Sequence, residues 1–170
     1  MKLLSFAVPC YNSAAYMKKC IESLLKGGDD VEIIIVDDGS TDETSMEVLE
    51  KIETDRRLPV PILIIRQPNS GVSAARNTGI REAKAPLILV LDGDDGLAPS
   101  FIEETGKLLE ENPSMAAASS WLHTFGVLEA LVRPLGGTAK DFLSRNCCPA
   151  SHILRREAWE GCGGYDETMR

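Results

Sequence analysis

Three carboxylates lie within four positions at Asp92-Gly93-Asp94-Asp95, and a second pair stands at Asp37-Asp38. Carboxylates this close repel one another, and each is costly to desolvate, so such a cluster needs a positive partner. The set holds no histidine or cysteine, and donors that are all oxygen suit a hard divalent cation such as Mg2+ or Mn2+. Magnesium typically binds one or two protein carboxylates together with substrate phosphates, so the expected ligand is a phosphate ester. The bland alternative is a polar loop with a helix cap after a core strand. One acid-ended strand is common by chance, whereas two beside a Pro9-Cys10-Tyr11-Asn12 loop read as one site. The Tyr11 ring is suited to pack against a nucleobase, and Asp38 to accept from a ring N–H.

The acids need strands to hold them. Leu87 to Leu91 is an unbroken apolar run, the pattern of a strand buried on both faces. Leu3–Val8, Val31–Val36 and Ile62–Ile65 read the same way, and Met115–Ser120 is a fifth candidate. Helices fill the gaps. Ser13 is placed to cap one over Ala14–Lys26, ended by Gly27-Gly28. Ser40 with Glu43, and Ser100 with Glu103, have the form of capping boxes. Met46, Leu49 and Ile52 continue the first of these helices; the second stops at Asn112-Pro113. Gln67 to Gly71 is a turn by composition, and Val72–Ala83 a helix. This alternation predicts an α/β fold with a mainly parallel sheet, right-handed crossovers and helices on both faces. The acids then sit at the carboxyl ends of the strands, where open α/β sheets bind ligands. From Trp121 to Pro149 the pattern blurs, with a helix expected near Ala139–Leu143 only. Beyond it, Ile153–Leu154 reads as a short strand and Glu157–Trp159 as a turn of helix, followed by a Gly161–Gly164 bend.

Composition narrows the function. The chain has 170 residues, 44% of them apolar, enough for one core, and a net charge of −8. Without a block of Lys or Arg, nucleic acid is excluded as a main partner. An acidic protein also repels an anionic substrate unless a metal or a local arginine inverts the field. No apolar run approaches the length of a transmembrane span, and the N-terminus carries no signal-peptide pattern. The five cysteines match no zinc template and read as thiols of a reducing compartment. No G-x-G-x-x-G, P-loop or G-x-S-x-G motif is present, which removes dinucleotide, P-loop and α/β-hydrolase chemistry.

Five motifs in order carry a resemblance. Val8-Pro9-Cys10-Tyr11-Asn12, Val36 to Asp42, Asn69 to Asn77, Leu91 to Asp95 and Gly163-Gly164-Tyr165-Asp166-Glu167 resemble those of the family 2 glycosyltransferases. The resemblance covers essentially the whole chain. It implies a GT-A fold in a single domain, with 1–120 as the nucleotide-sugar-binding half and 121–170 as the start of an incomplete acceptor-binding half. It implies inverting transfer of a sugar from a nucleotide diphosphate, UDP favoured, to a glycan or lipid-linked acceptor.

By position, Pro9, Tyr11 and Asn12 would serve the base and ribose, Asp38 the uracil N–H, and Asp92 with Gly93 the ribose side. Asp94 would hold Mg2+ or Mn2+ on the pyrophosphate with Asp95 beside it. Gly71 would allow close approach. Arg76 would orient the donor or brace the acids, its bland alternative being a salt bridge to Asp37. His152 reads as a surface or packed histidine. The family's usual base lies past the Gly-Gly-Tyr-Asp-Glu motif, and this sequence stops at Arg170. Truncation is therefore expected, with Asp166 and Glu167 as stand-in catalytic carboxylates. The uncovered sheet would favour self-association. A cytoplasmic location follows, with the inner membrane face as a variant. A nucleotide-sugar binder without turnover is the alternative. A nucleotidyltransferase on a related sheet would need a Gly-rich, basic signature after the first strand, which Pro9-Cys10-Tyr11-Asn12 is not.

Overall fold

The computed structural model describes residues 4–28, 30–142, 144 and 147–169. Leu3 and Leu143, at the limits of an expected strand and helix, lie outside these residues. Strands β1 (Leu4–Cys10), β2 (Val31–Asp37), β3 (Ile62–Arg66) and β4 (Leu87–Val90) are parallel neighbours. Two more, β5 (Ala117–Ala118) and β8 (His152–Arg155), complete a six-stranded sheet in the order β3-β2-β1-β4-β8-β5. The fifth strand is thus shorter than expected and does not lie beside β4. β8 runs antiparallel between the two and takes the β4 edge for itself. Between them β6 (Leu122–Thr124) and β7 (Ala130–Val132) form a separate hairpin within the stretch whose sequence pattern is blurred.

The period of two along β1 divides the core. Leu4, Phe6, Val8 and Cys10 face one side, where α1 (Ala14–Leu24), α2 (Glu43–Thr54) and α4 (Phe101–Glu111) pack. Ala7 with Ile34 and Val36 of β2 faces the other, against α3 (Val72–Glu82). That second interface is close: a Cβ on Gly79 would stand 3.1 Å from the Ala7 Cβ and 3.3 Å from Val36 Cγ2. The α3 sequence is rich in small residues for this reason. Two short helices, α5 (Ala139–Phe142) and α6 (Arg156–Cys162), complete the order, and α6 is longer than the sequence pattern suggests.

The helix starts differ from expectation. Asp42, not Ser40, caps α2: its carboxylate accepts from Ser45 N at 2.8 Å. The Ser40 hydroxyl instead accepts from Asn12 N at 3.0 Å, because the 37–42 loop is first tied to the β1 loop. Ser100 stands at the cap of α4 but makes no side-chain bond there, since its backbone is already helical (φ −88°, ψ −6°). Ser13 precedes α1 and also makes no cap bond; that helix passes into a 3-10 turn at Leu25–Gly27.

Candidate functional site

Backbone bonds between strand ends build the site. Asp38 N donates to Cys10 O at 2.9 Å, and Gly93 N donates to Pro9 O at 3.2 Å, so three strand ends meet around the β1 loop. Gly93 has no room for a side chain, since a Cβ would stand 3.0 Å from Met17 Cε and 3.2 Å from Pro9 O. Asn12 adopts a left-handed conformation (φ 49°), which asparagine tolerates better than most residues. Its Oδ1 accepts from Thr41 N (2.9 Å) and Asp42 N (3.3 Å), and Nδ2 donates to Thr41 Oγ1 (3.4 Å). Asn12 therefore clamps one loop to the other.

Asp38 is buried and holds the loop after β3. Gln67 Nε2 (2.7 Å) and Ser70 N (2.9 Å) donate to Oδ1, and Gly71 N (2.8 Å) to Oδ2. Gly71 starts α3 at φ +91°, with nothing within 4 Å of a Cβ placed there. Its glycine is needed for the backbone angle, and the space beside it is open. Around these residues lies a cavity of about 300 Å³ lined by Pro9, Tyr11, Asp38, Gly71, Asp92, Gly93 and Asp94 among others. This is within the usual range for a ligand pocket. Tyr11 is 49% exposed, so its ring is not part of the core.

Arg76 does not pair with Asp37. Its Nη2 donates to both oxygens of Asp92, at 2.8 and 2.9 Å, with the arginine side chain only 14% exposed. Asp37 ends β2 on the sheet face away from α3, and its Oδ1 accepts from Ser40 N at 2.9 Å. One of the three clustered acids is thus neutralised from within. Asp95 accepts from Ser151 Oγ at 2.9 Å. Burial pushes its carboxyl above the usual range, the Ser151 bond opposes this, and the neighbouring Asp92 and Asp94 raise it further. Asp94 is exposed. Among the described residues no group of three His, Cys, Asp or Glu side chains is arranged to hold a metal by itself. One or two carboxylates with the rest of the shell from phosphate is the way Mg2+ is ordinarily held, and Asp94 with Asp95 fits that pattern.

Asp166 and Glu167 are exposed and line neither this cavity nor the one beside it. Thr168 donates to Asp166 from N (2.9 Å) and Oγ1 (2.6 Å). Glu167 Oε1 accepts from Asn77 Nδ2 (2.8 Å) and Arg81 (3.0 Å). These bonds hold both carboxyls below the usual range. Sequence reasoning passed over Asn77 as a residue with its own task. It is 2% exposed in the middle of α3, and its amide uses every donor and acceptor pair it has. Trp159 Nε1 and Tyr165 N donate to Oδ1; Nδ2 donates to Tyr165 O and Glu167. A polar side chain among Ala74, Ala75, Gly79 and Ile80 was the available signal. His152 is packed: its ring meets Pro149 O and the Tyr165 hydroxyl, each at 3.2 Å, and Tyr165 lies under the Arg76 guanidinium (5.6 Å). Burial pushes the imidazole below its usual range, partly opposed by the Pro149 and Ala150 backbone. Cys10 and Cys20 are buried thiols pushed up to about 12, by burial first and nearby carboxylates second, so neither is a nucleophile at neutral pH.

This arrangement has counterparts. The glycosyltransferase EpsJ of Bacillus subtilis (strain 168), itself uncharacterized, is 37% identical over 111 residues, 65% of this chain and 31% of EpsJ. Glycosyltransferase GlyA of Streptococcus pneumoniae is 34% identical over 119 residues, 69% of this chain and 16% of GlyA. The chain therefore spans less than a third of the length of either relative. Among solved structures, residues 1–349 of S. aureus TarS in complex with UDP superpose with a TM-score of 0.73 at 19% identity, covering 98% of this chain and 51% of that one. The mannosyltransferase PcManGT of Pyrobaculum calidifontis, in complex with GDP-Man and Mn2+, gives 0.69 at 22% identity, covering 96% and 47%. The fold is the GT-A arrangement of these glycosyltransferases. The sequence model of glycosyl transferase family 2 matches residues 5–160, from β1 into α6, and the chain belongs to that family.

Proposed function

We propose that this chain binds the donor of an inverting glycosyltransferase that moves a sugar from a nucleotide diphosphate, UDP favoured, to an acceptor hydroxyl with help from Mg2+ or Mn2+. The observation that carries the reading is the cavity at the ends of β1, β2 and β4, opening onto Asp94. TarS structures hold UDP and UDP-GlcNAc, and the PcManGT structure holds GDP-Man with Mn2+, which supports a nucleotide sugar and a divalent ion here.

Each residue has a task in this reading. Tyr11, exposed at the cavity wall, stacks on the base. Asp38 Oδ2, which accepts one bond from Gly71 N, has capacity left for a ring N–H. Pro9 and Gly93 line the floor, and Gly71 leaves space for the ribose and phosphates. Arg76 cancels the Asp92 charge, so that an anionic ligand meets fewer bare carboxylates. Asp94, with Asp95 beside it, would hold the cation. When bound, that ion offsets charge gathering on the departing diphosphate. The acceptor hydroxyl attacks the anomeric carbon from the face opposite the diphosphate, losing its proton to a base. The positions of Asp166 and Glu167 support a tethering role for them, not proton abstraction. The same positions favour a second reading, donor binding without turnover by these 170 residues.

Proposed surroundings are the cytoplasm or the inner membrane face. The buried thiols suit a reducing compartment, and among the described residues no helix is long and apolar enough to cross a membrane. The test is calorimetry with UDP, CDP and GDP, with Mn2+ and with EDTA, alongside a product assay for sugar transfer or donor hydrolysis. UDP is expected to bind best and only with the metal, and Asp94→Ala to remove the metal dependence. Equal binding of the three nucleotides in EDTA would overturn the reading. Tight UDP binding with no product from any donor selects the second.

A further inference from the structure

Arg76 holds Asp92 by a single nitrogen. Nη2 donates to both carboxylate oxygens, at 2.8 and 2.9 Å, while Nε is buried with no hydrogen-bond partner among the described residues. An arginine fork ordinarily grips a carboxylate through two parallel N–H bonds, which fixes the guanidinium plane. A grip through one nitrogen leaves the group free to swing about it, so Asp92 by itself does not keep Arg76 in place. What covers the guanidinium is the Tyr165 ring, whose centroid lies 5.6 Å from Arg76 Cζ. A cation over a ring face is attracted by the ring quadrupole, more strongly where water is excluded, and the Arg76 side chain is only 14% exposed.

The ring is itself held at both ends. Tyr165 N and O bond the Asn77 amide, each at 2.9 Å, and the hydroxyl meets His152 Nε2 at 3.2 Å. His152 Nδ1 faces Pro149 O at 3.2 Å, and a carbonyl only accepts, so Nδ1 carries the proton and Nε2 accepts from Tyr165. His152 lies opposite Val90 in the β4–β8 pairing, and Val90 stands two residues before Asp92. The contacts thus run from Asp92 through Arg76, Tyr165 and His152 and close on the strand end that carries the acid. Tyr165 lines neither cavity, so it reaches a ligand only through Arg76. We propose that Tyr165, with its hydroxyl seated on His152, is a positioning residue for nucleotide binding: it pins Arg76 to Asp92 and so keeps one carboxylate of the cavity wall neutralised. The proposal rests on the donor reading of that cavity. Without the ring the cavity keeps its shape, but Asp92 joins Asp94 and Asp95 as a bare charge facing an anionic ligand, in a chain of net charge −8.

The test measures UDP binding with Mn2+ by calorimetry in the native protein, Tyr165→Leu and Tyr165→Phe, and compares native with Tyr165→Leu again in an Asp92→Asn background. The Asn77 bonds are made to backbone, so both Tyr165 variants keep them. The ring can lend UDP no more than it contributes to holding Arg76. Tyr165→Leu should therefore weaken UDP by about 2- to 30-fold, the range of a cation–π contact converted at about 1.4 kcal/mol per tenfold. Tyr165→Phe, which keeps the ring, should retain most of the affinity. With Asp92→Asn no charge is left to cancel, so adding Tyr165→Leu should cost UDP nothing further. An equal loss in both backgrounds would mean that the ring only braces the fold, and would overturn the proposal, as would native affinity in Tyr165→Leu. A second readout needs no ligand: NMR relaxation of the Arg76 Nε–H, assigned by its loss in Arg76→Lys. That group should be rigid in the native protein and in Tyr165→Phe and mobile in Tyr165→Leu; equal rigidity in all three would also overturn the proposal. A native protein that fails to bind UDP, yet frees Arg76 in Tyr165→Leu, removes the donor reading and leaves the pinning of Arg76 standing.

Discussion

Replacing Asn77 with leucine should release the 159–167 segment from α3 while leaving the nucleotide cavity intact. The side chain is nearly isosteric but can neither donate nor accept. Four hydrogen bonds disappear together: those from Trp159 Nε1 and Tyr165 N, and those to Tyr165 O and Glu167. Each such bond is worth about 0.5–1.5 kcal/mol net, which sums to about 2–6 kcal/mol. The upper end is not reachable. The segment is exposed at Asp166 and Glu167, so the abandoned groups turn to water once it lifts. A loss of about 2–3 kcal/mol is the consistent figure, equal to about 4–12 °C in Tm for a chain of this size. Asn77→Asp separates the donors from the acceptors. It keeps the bonds from Trp159 and Tyr165 N but sets a carboxylate against Glu167, whose Oε1 lies 2.8 Å from the native amide nitrogen. That variant should therefore regain stability as pH falls and one of the two carboxyls protonates, whereas Asn77→Leu should not. Thermal unfolding and Trp159 emission check both. Lifting the segment exposes the indole and shifts its emission to the red. An Asn77→Leu protein with native Tm and native Trp159 emission would refute the reasoning, because it would mean the four bonds hold nothing in place.

Three further outcomes follow from single contacts. His152 has its imidazole held below the ordinary value of 6.5, so it contributes stability above that pH which is lost as pH falls through the folded value. His152→Gln should remove this step from a plot of Tm against pH between about 6.5 and the carboxylate range; an unchanged step would place its origin elsewhere. Cys10 and Cys20, pushed up to about 12, should resist iodoacetamide at pH 8 in the folded chain while the exposed Cys162 reacts, as peptide mass spectrometry reads; rapid labelling of Cys10 would contradict the burial. Gly79→Val should destabilise by about 1–3 kcal/mol in denaturant melts, since even its Cβ meets Ala7 and Val36 at the centre of the sheet; a neutral result would mean α3 is free to move off β1.

Periodicity carried the four parallel strands: β1, β2 and β4 are buried on both faces and read as apolar runs broken at most by a single polar residue, and β3, at the sheet edge with Leu63 exposed, keeps the apolar run Ile62–Ile65. It could not place β8. His152–Arg155 is four residues long and polar at both ends, and its insertion between β4 and β5 depends on pairing across some sixty residues of chain. The cap of α2 was misread for a related reason. Ser40 has the right type and spacing, but its hydroxyl accepts from Asn12, twenty-eight residues away, and Asp42 takes its place. Local chemistry offered Ser40, and a long-range contact took it away from the helix.

The site shows the same division. The cavity gathers Pro9, Tyr11, Asp38, Gly71, Asp92, Gly93 and Asp94 from motifs up to eighty-five positions apart, and strand-end geometry suffices to predict that gathering. What each side chain does once there was not written in its type. Arg76 reaches Asp92 and not Asp37, because the period of two along β2 turns Asp37 to the face covered by α1 and α2, while Asp92 follows β4 on the face where α3 packs. Asn12 and Asn77 look alike in a sequence, yet one clamps two loops beside the nucleotide cavity and the other ties down a segment that does not line it. In both, the amide meets two backbone groups that no helix or strand satisfies, and side chains take the rest of its bonds. Irregular backbone beside a binding site must find its hydrogen bonds somewhere, and here asparagine supplies them. The donor reading can therefore fail at Asp38 or Asp94 without disturbing either clamp, while loss of Asn12 should loosen the 37–42 loop and, with it, the cavity wall that Asp38 carries.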